Sequence, residues 1–295
     1  MAHSEAAWDF EYFTYEDHGW LQSGLRIYTD INGDALSTRV DVSLVLFSHL
    51  TIMIVEETAA GTQVDSITAP ASLNRLEVIG GPNPDVMEMD EILLGSNTRV
   101  WFFGGAGNDT LLNADQMQGE AGSDRITGPG PNTGIVTAWG GSGNDVIRDC
   151  VISYGGAGND VIHTADWWHY AYANGDAGVD WLIGNSPNDR MYGGAGNDFL
   201  FGGHGSDQLW GNAGVDFLHG GDGDDTLDPG YQMFGYSPPE TLTGAGGRDL
   251  FHRYIVFGQL DEHIDDYNFF EGDREEFHVV GPWWYGGINL NPLGF

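Results

Sequence analysis

Six aspartates recur at intervals of nine residues in the second half of the chain. They are Asp180, Asp189, Asp198, Asp207, Asp216 and Asp225, in segments that read GDAGVDWLI, GNSPNDRMY, GGAGNDFLF, GGHGSDQLW, GNAGVDFLH and GGDGDDTLD. The shared unit is G-G-x-G-x-D-x-U-x, in which U is a large apolar residue. Glycine permits a tight turn, aspartate offers a hard oxygen ligand, and x-U-x is long enough for a short strand with one inward side chain. This repetition therefore predicts stacked short strands joined by metal-binding turns.

Four further units precede this block, but at other intervals. Their aspartates and Asp180 are separated by 15, 21, 15 and 20 residues, and consecutive pairs of these intervals sum to 36 and 35. This pattern predicts wide coils that narrow into a regular roll over residues 175–228. A degraded unit, GGPNPDVM, begins at Gly80, and a well-matched one, GAGGRDLF, begins at Gly244. The four units are GGAGNDTLL, GEAGSDRIT, GGSGNDVIR and GGAGNDVIH, with Asp109, Asp124, Asp145 and Asp160.

The repeated unit resembles that of the repeats-in-toxin (RTX) family, also called hemolysin-type calcium-binding repeats. The resemblance covers about residues 76–280 and implies an all-β parallel β-roll, or β-solenoid, with several Ca²⁺ ions between its turns. The metal ligands that it implies are Asp109, Asp124, Asp145, Asp160, Asp180, Asp189, Asp198, Asp207, Asp216, Asp225 and Asp249.

In such a roll, aspartates of repeats i and i+2 converge with backbone carbonyls of the glycine turns. The turn GNSPND has Asn185 and Pro187 in place of two glycines, so its site is expected to be the weakest or empty. The expected pairs are Asp180 with Asp198, Asp189 with Asp207, Asp198 with Asp216, Asp207 with Asp225, Asp109 with Asp145, and Asp124 with Asp160. The U residues should form two inward ladders: Leu182, Met191, Leu200, Leu209, Leu218 and Leu227, continued by Ile126, Ile147 and Ile162.

A second resemblance lies near the C-terminus. The segment IDDYNFFEGDREEFHVV is similar to the one that closes many RTX rolls, through Ile264, Asp266, Tyr267, Gly272 and Asp273. It would cap the solenoid and nucleate folding when calcium binds. The alternative is a plain acidic loop and strand that caps without metal, followed by a tail over residues 281–295.

The charge balance restricts the partners. The chain has 44 acidic residues against 10 basic ones, a net charge of −34, and would repel itself without bound counter-ions. This excludes a basic face for nucleic acid and disfavours anionic membranes. All ten basic residues are arginine, so Schiff-base and P-loop lysines are excluded.

Features tied to cellular location agree with export. The single cysteine, Cys150, excludes internal disulfides, which leaves metal as the staple of a secreted protein. The apolar run 40–55 is interrupted by Asp41 and His49 and is too short to span a bilayer. No cleavable signal peptide is expected from MAHSEAAWDF, and the RTX resemblance implies a secreted or cell-surface protein exported by a type I system.

Residues 1–75 are predicted to form a β-rich cap or docking region. RIYTDI-NG-DALSTRV indicates a hairpin with its turn at Asn32–Gly33, followed by the buried strands VSLVLF and LTIMIV and a break at residues 59–61. The oxygens of Asp30, Asn32, Asp34 and Asp41 also fit an EF-hand-like spacing, but Ala35 replaces the required glycine and no flanking helices are expected. The hairpin is therefore the favoured interpretation.

No catalytic or cofactor-binding residue other than the calcium ligands is predicted. The chain contains neither H-E-x-x-H nor G-x-S-x-G, and Ser142 belongs to a repeat turn. His163, His204 and His219 occupy variable repeat positions and are expected to face solvent. The sequence thus favours an extracellular structural or binding module over an enzyme.

Aromatic residues leave a choice open. Filling of the wide coils is favoured over a surface for a glycan or protein partner, with DWWHYAY (166–172) as the best candidate for an exception. One alternative is a secreted polysaccharide-modifying enzyme with its active site on the wide face near Trp139 to Trp181. Another is a subunit of a surface layer or larger assembly, docked through the N-terminal region. The aromatic residues considered are Trp139, Trp167, Trp168, Tyr170, Tyr172, Trp181, Trp210, Trp283 and Trp284.

Overall fold

The computed structural model describes residues 9–17, 20–29, 35–45, 49–58, 61–70, 73–89, 98–130, 134–165, 170–185, 187–230, 240–256, 259–260, 262–264 and 272–280. All regular structure in these residues is β-strand, with 27 strands. In this described part of the chain, no helix is long and apolar enough to cross a membrane.

The strands are short except in the N-terminal region. In chain order they are β1 (Asp9–Asp17), β2 (Trp20–Tyr28), β3 (Ala35–Val45), β4 (His49–Thr58), β5 (Gly61–Pro70), β6 (Arg75–Ile79), β7 (Asp85–Met89), β8 (Arg99–Ala106), β9 (Thr110–Leu112), β10 (Gln116–Ala121), β11 (Arg125–Thr127), β12 (Thr137–Ser142), β13 (Val146–Cys150), β14 (Ile152–Ala157), β15 (Val161–Thr164), β16 (Tyr172–Ala177), β17 (Trp181–Ile183), β18 (Arg190–Ala195), β19 (Phe199–His204), β20 (Gln208–Ala213), β21 (Phe217–Asp222), β22 (Thr226–Asp228), β23 (Glu240–Gly246), β24 (Leu250–Val256), β25 (Gln259–Leu260), β26 (Glu262–Ile264) and β27 (Arg274–Val280).

Successive strands alternate between two sheets. Sheet A runs β1-β2-β6-β8-β10-β12-β14-β16-β18-β20-β22-β24-β25, with β27 beside β24, and sheet B runs β26-β23-β21-β19-β17-β15-β13-β11-β9-β7-β3-β4-β5. From β6 to β22 each strand pairs in parallel with the strand two places later in the chain. Each coil therefore contributes one strand to each sheet. The predicted all-β parallel solenoid is confirmed.

Two ladders of side chains, apolar except for Ser153, fill the space between the sheets. The predicted U residues are all fully buried and stack in register, as in the pairs Leu182–Leu200 and Met191–Leu209. The sheet B ladder contains Met87, Leu111, Ile126, Ile147, Ile162, Leu182, Leu200, Leu218 and Leu242. The sheet A ladder contains Val78, Phe102, Met117, Ala138, Ser153, Ala173, Met191, Leu209, Leu227 and Phe251. The inward phase read from the nine-residue unit is thus confirmed.

The prediction of wide coils is wrong. β10 pairs with β8 on one side and with β12 on the other, so the intervals of 15 and 21 residues each complete a coil. The regular block completes a coil in 18 residues. The parallel pairing sets the number of residues in a coil. Each coil contains only two strands, one in each sheet, before the chain returns to sheet A beside the preceding coil. The N-terminal coils therefore hold one glycine turn each and differ from later coils in their second turn, not in their width.

The N-terminal strands extend both sheets. β2 pairs in parallel with β6, and β3 pairs in parallel with β7, so the parallel stack begins before residue 76. β1 then adds to β2, and β4 and β5 add beyond β3, all in antiparallel pairs.

The predicted hairpin through Asn32–Gly33 is wrong in its pairing. The two flanking strands, β2 and β3, lie in different sheets, while the Asn-Gly turn lies outside the described residues. The hairpin instead joins β3 to β4, and β4 ends at Thr58, next to the predicted break at residues 59–61. Asp41 lies within β3, which removes it from an EF-hand-like loop; Asp30, Asn32 and Asp34 lie outside the described residues.

The aromatic side chains lie on the outer faces, so the interpretation that they fill the interior is wrong for Trp139, Tyr172, Trp181 and Trp210. On sheet A, stacked or tilted rings with centroids 4.6–5.9 Å apart run through Trp139, Tyr154, Tyr172, Tyr192 and Trp210. On sheet B, a cluster joins Trp181, Phe199, Phe201, Phe217 and His219. Trp181 is 45% exposed and Tyr170 is 74% exposed. Trp167, Trp168, Trp283 and Trp284 lie outside the described residues.

The core assignment makes a direct prediction. Leu209 is fully buried, whereas the side chain of His204 is 85% exposed. Leu209→Ala should lower the free energy of unfolding by about 2–5 kcal/mol, since it leaves a cavity between the sheets. His204→Ala should change it by less than about 0.5 kcal/mol. Urea unfolding at saturating calcium measures both, and equal losses would contradict the inward phase.

Candidate calcium-binding edges

The aspartates of the repeats lie in the turns, along two edges of the solenoid. The turns that lead from a sheet A strand to the next sheet B strand form what we call the first edge of the solenoid. The turns that lead from a sheet B strand to the next sheet A strand form its second edge. The first edge carries Asp85, Asp109, Asp124, Asp145, Asp160, Asp180, Asp198 and Asp216; the second carries Asp189, Asp207, Asp225, Asp249 and Asp273. All of these side chains are at most 4% exposed.

Each aspartate contacts its counterpart in the next coil. The backbone N–H of one donates to the carboxylate Oδ1 of the next at 2.6–3.0 Å, as from Asp180 to Asp198 and from Asp207 to Asp225. The same bond links every neighbouring pair from Asp85 to Asp216 on the first edge. These bonds align the carboxylates in a row along each edge.

The expected partners agree with this geometry only in the regular block. Asp180 with Asp198, Asp189 with Asp207, Asp198 with Asp216, and Asp207 with Asp225 are neighbours in the structure. The pairs Asp109–Asp145 and Asp124–Asp160 are wrong. Asp109 contacts Asp124, and Asp124 contacts Asp145, because a single coil separates them.

The second carboxylate oxygen is the unusual feature of this arrangement. Oδ2 is buried and has no hydrogen-bond partner among the described residues in Asp109, Asp124, Asp145, Asp160, Asp180, Asp198, Asp207, Asp216 and Asp225. A buried carboxylate oxygen without a donor is costly and is rare in native proteins. Its repetition at one position of successive coils indicates a common cationic ligand.

The electrostatics of the edges lead to the same conclusion. Burial raises the pKa of Asp109, Asp160, Asp180 and Asp225 to about 7, and that of Asp124, Asp198, Asp207 and Asp216 to about 6. The backbone N–H that each Oδ1 accepts opposes this rise, and neighbouring carboxylates such as Asp124 beside Asp109 add to it. Burial thus makes the ionised form of these carboxylates less favourable than in water, and a bound cation would compensate their charge.

Backbone oxygens crowd the same turns. A Cβ placed on Gly122 would lie 1.3 Å from the carbonyl oxygen of Gly107, and one on Gly178 would lie 1.6 Å from that of Gly158. Both glycines also have positive φ, at 143° and 146°. Glycine is required here because the carbonyls of one turn lie against the next turn.

A second set of side-chain bonds runs in the opposite direction. The residue before several of the aspartates accepts from the following coil: Asn108 Oδ1 from Ser123 N at 2.8 Å, and Asn144 Oδ1 from Asn159 N at 2.7 Å. Asn197 and Asn188 accept in the same way from Val215 and Ser206. Each turn is therefore tied to both of its neighbours before any metal binds.

Two aspartates of these rows were not predicted as their members from the sequence. Asp85 begins the first-edge row, and Asp273 ends the second-edge row. The sequence contained a signal for each of them. The degraded unit at Gly80 includes Asp85, and the pair Gly272–Asp273 marks the second aspartate. Prolines in the first unit and the absence of a full G-G-x-G turn before Asp273 concealed them.

The donor set suits calcium better than a transition metal. In the described residues, no group of three or more histidine, cysteine, aspartate or glutamate side chains converges on one point. Carboxylates in single rows, with backbone carbonyls around them, offer the oxygen ligands that Ca²⁺ prefers. Cys150 is fully buried, and burial raises the pKa of its thiol, so it is unsuited to nucleophilic chemistry.

The turn geometry makes a prediction of its own. Gly122→Ala should lower the free energy of unfolding by about 1 kcal/mol or more, since the new methyl group clashes with Gly107 and the residue must keep a positive φ. Ala121→Ser, at the exposed neighbouring position, is the matched control and should be nearly neutral. Urea unfolding at saturating calcium compares the two, and a neutral Gly122→Ala would refute the close packing of the turns.

Comparison with known proteins agrees with the geometry. The family model "RTX calcium-binding nonapeptide repeat (4 copies)" matches residues 88–114, 112–128, 132–148, 153–166, 174–209 and 202–230. No curated protein and no solved structure matches the chain. The matched segments contain the aspartate rows of both edges from Asp109 to Asp225. Residues 88–230 of this chain therefore carry RTX calcium-binding repeats, and these repeats fold as a two-sheet β-solenoid.

Proposed function

We propose that the chain is an extracellular structural or binding module whose fold is stabilised by several Ca²⁺ ions along its two edges. The observation that carries this proposal is the repeated buried Oδ2 without a hydrogen-bond donor. The proposed ligands are turn carbonyls together with Asp109, Asp124, Asp145, Asp160, Asp180, Asp198, Asp207, Asp216, Asp225 and Asp249. Asp189, which the sequence also predicted, is not among them, because its Oδ2 already accepts from the Thr164 hydroxyl.

Bound calcium would compensate the negative charge of the aspartates and link neighbouring coils. It would have a structural role and not a catalytic one. The acidic residues exceed the basic ones by 34, so a compact chain gains from binding cations. Extracellular millimolar calcium would fill such sites, whereas cytosolic calcium would not. This supports secretion or display at the cell surface, with export of the unfolded chain by a type I system.

The outer faces support a binding role. The aromatic rows lie outside the core, and their partner would be a protein rather than a glycan. Trp139 stacks on Tyr154, and Tyr192 stacks on Trp210, with interplanar angles of 6° and 5°. The ring faces that a sugar would need are therefore turned toward one another. Residues 1–75, whose strands extend both sheets, are proposed as the N-terminal cap and a second docking region.

The enzyme alternative required an active site on one face of the solenoid near Trp139 to Trp181, and these two residues do not share a face. Trp139 lies on β12 of sheet A and Trp181 on β17 of sheet B, so the two residues face opposite sides of the solenoid. Turnover assays on acidic polysaccharides and glycan-array binding with the full chain separate an enzyme from a binding module. Native mass measurement of the complex purified from its source tests the surface-assembly alternative.

Calcium binding itself is tested by equilibrium dialysis of the full chain against radioactive calcium in a tenfold excess of magnesium. We expect several ions per chain, because rigid octahedral magnesium fits such carbonyl-rich sites poorly. Asp222→Asn, an exposed carboxylate outside the two rows, should bind as many ions as the wild type. A wild-type chain that binds no calcium would refute the proposal.

A further inference from the structure

The second edge changes character along the chain. In the later coils, one position of the second edge is occupied by Asp189, Asp207 and Asp225. The strand register identifies the residues at the equivalent position in the earlier coils. In the earlier coils these equivalent positions hold Val100, Asp115, Val136, Val151 and Ala171. Most are apolar, and Val100, Val136 and Ala171 are buried. These coils close their second edge by packing, beside the buried Cys150, Ala114 and Ala165.

The one carboxylate among them already has protein partners. Asp115 Oδ2 accepts from Val100 N at 2.8 Å, the same bond that links the aspartates of each row. Its Oδ1 accepts from Arg99 Nη1 at 3.1 Å, so an arginine compensates the charge. No carboxylate stands in the next three coils at this position, which separates Asp115 from the row that begins at Asp189.

Asp189 also differs from the aspartates that follow it. Its Oδ1 accepts from Ala171 N at 3.1 Å, and its Oδ2 accepts from the buried Thr164 hydroxyl at 3.3 Å. Asn185 fixes Thr164 from both sides, since Asn185 N donates to Thr164 Oγ1 at 3.0 Å and Asn185 Nδ2 donates to Thr164 O at 3.1 Å. By contrast, Oδ2 of Asp207 and of Asp225 has no donor among the described residues.

We propose that Thr164, Ala171 and Asp189 form a metal-free cap at which the second row of calcium ions ends. The coils before this cap then carry calcium on the first edge only, and the coils after it carry calcium on both edges. This rests on the proposed function, in which calcium binds the Oδ2 atoms that lack donors. A cation at Asp189 would have to displace the Thr164 hydroxyl, which already donates to Oδ2, so the hydrogen-bonded state is favoured there.

The cap divides the solenoid by its dependence on calcium. Before it, removal of calcium leaves one edge closed by buried apolar side chains. After it, both edges lose their cross-links and bring rows of carboxylates together. In a calcium titration of the full chain followed by hydrogen exchange, the amides of residues 187–230 should therefore lose protection at a higher free calcium concentration than those of residues 98–165.

The decisive experiment counts bound calcium on full-length variants by elemental analysis after gel filtration in saturating calcium. Asp207→Asn should lose at least one ion relative to the wild type, whereas Asp189→Asn should lose none. Thr164→Val, which removes only the hydroxyl donor, should also keep the wild-type count. Asp222→Asn is the exposed control.

The outcomes are separable. A wild-type chain without bound calcium refutes the proposed function. Calcium bound by the wild type, but lost equally in Asp189→Asn and Asp207→Asn, overturns only the cap. A lower count in Thr164→Val would make the hydroxyl a ligand and overturn the cap as well, and an unchanged count in Asp207→Asn would overturn the second row. Protection lost together in both regions would contradict the division of the solenoid.

Discussion

Removal of calcium from the full chain should abolish most of its β-structure, and its return to millimolar concentration should restore it. One calcium site filled at 100 times its dissociation constant stabilises the folded state by about 2.7 kcal/mol. Several such sites together match or exceed the whole stability of a typical domain, about 5–15 kcal/mol. Without the ions, buried carboxylates such as those of Asp180, Asp198 and Asp216 stand in rows with their Oδ2 atoms unsatisfied.

Far-ultraviolet circular dichroism of the full chain in EGTA, and then with added calcium, measures this change. Magnesium at the same concentration is the control, and it should restore little structure. A β spectrum already complete in EGTA would show that the hydrogen-bonded rows suffice for folding and that calcium only decorates the edges.

Acidification should partly replace calcium in the metal-free chain. The folded-state pKa values of about 6 to 7 lie above the ordinary aspartate value of about 3.9 in an unfolded chain. Between these values the folded state binds more protons than the unfolded one, so this stabilisation is complete below about pH 4 and is lost as pH rises through 6 to 7. The metal-free chain should therefore be more folded at pH 5.5 than at pH 7.5.

The calcium-loaded chain should respond in the opposite sense, because protons and calcium compete for the same oxygens. Its calcium midpoint should rise as pH falls from 7.5 to 5.5. Circular dichroism and melting temperature in metal-free buffers follow the first effect, and calcium titrations at each pH follow the second. A comparison of pH 7.5 with pH 9 is the control, since these carboxylates are mostly ionised at both. Greater stability of the metal-free chain at pH 7.5 than at pH 5.5 would contradict the burial of the carboxylates.

The nine-residue unit predicted the fold because its glycines and its apolar U residues each recur regularly and each indicate a different structural feature. The glycines mark the turns, and the U residues mark the inward face, which is why Leu182, Met191 and Leu209 were placed correctly. The same phase also carried the signal for the outer aromatic rows. Trp210 follows the inward Leu209, and neighbouring residues of a strand point to opposite faces. Its outward position could therefore have been predicted.

Coil length could not be read from the aspartates alone. In the N-terminal coils the second turn contains residues such as Val136, Val151 and Ala171 instead of a glycine unit, so no motif marks it. Two neighbouring coils then look like one wide coil. The Asn32–Gly33 hairpin failed for a related reason. Its local sequence favours a turn, but β2 and β3 each pair with a solenoid strand of a different sheet, and those long-range pairings decide the register.

The location of bound calcium tests the account most directly. Anomalous scattering from crystals grown in calcium should show peaks beside the aspartate Oδ2 atoms. On the first edge they should follow Asp109 to Asp216, with neighbouring peaks about one strand spacing, roughly 4.8 Å, apart. On the second edge they should begin after Asp189. Peaks along both edges in this pattern would support a calcium-stapled solenoid; the absence of anomalous density beside these oxygens would contradict it.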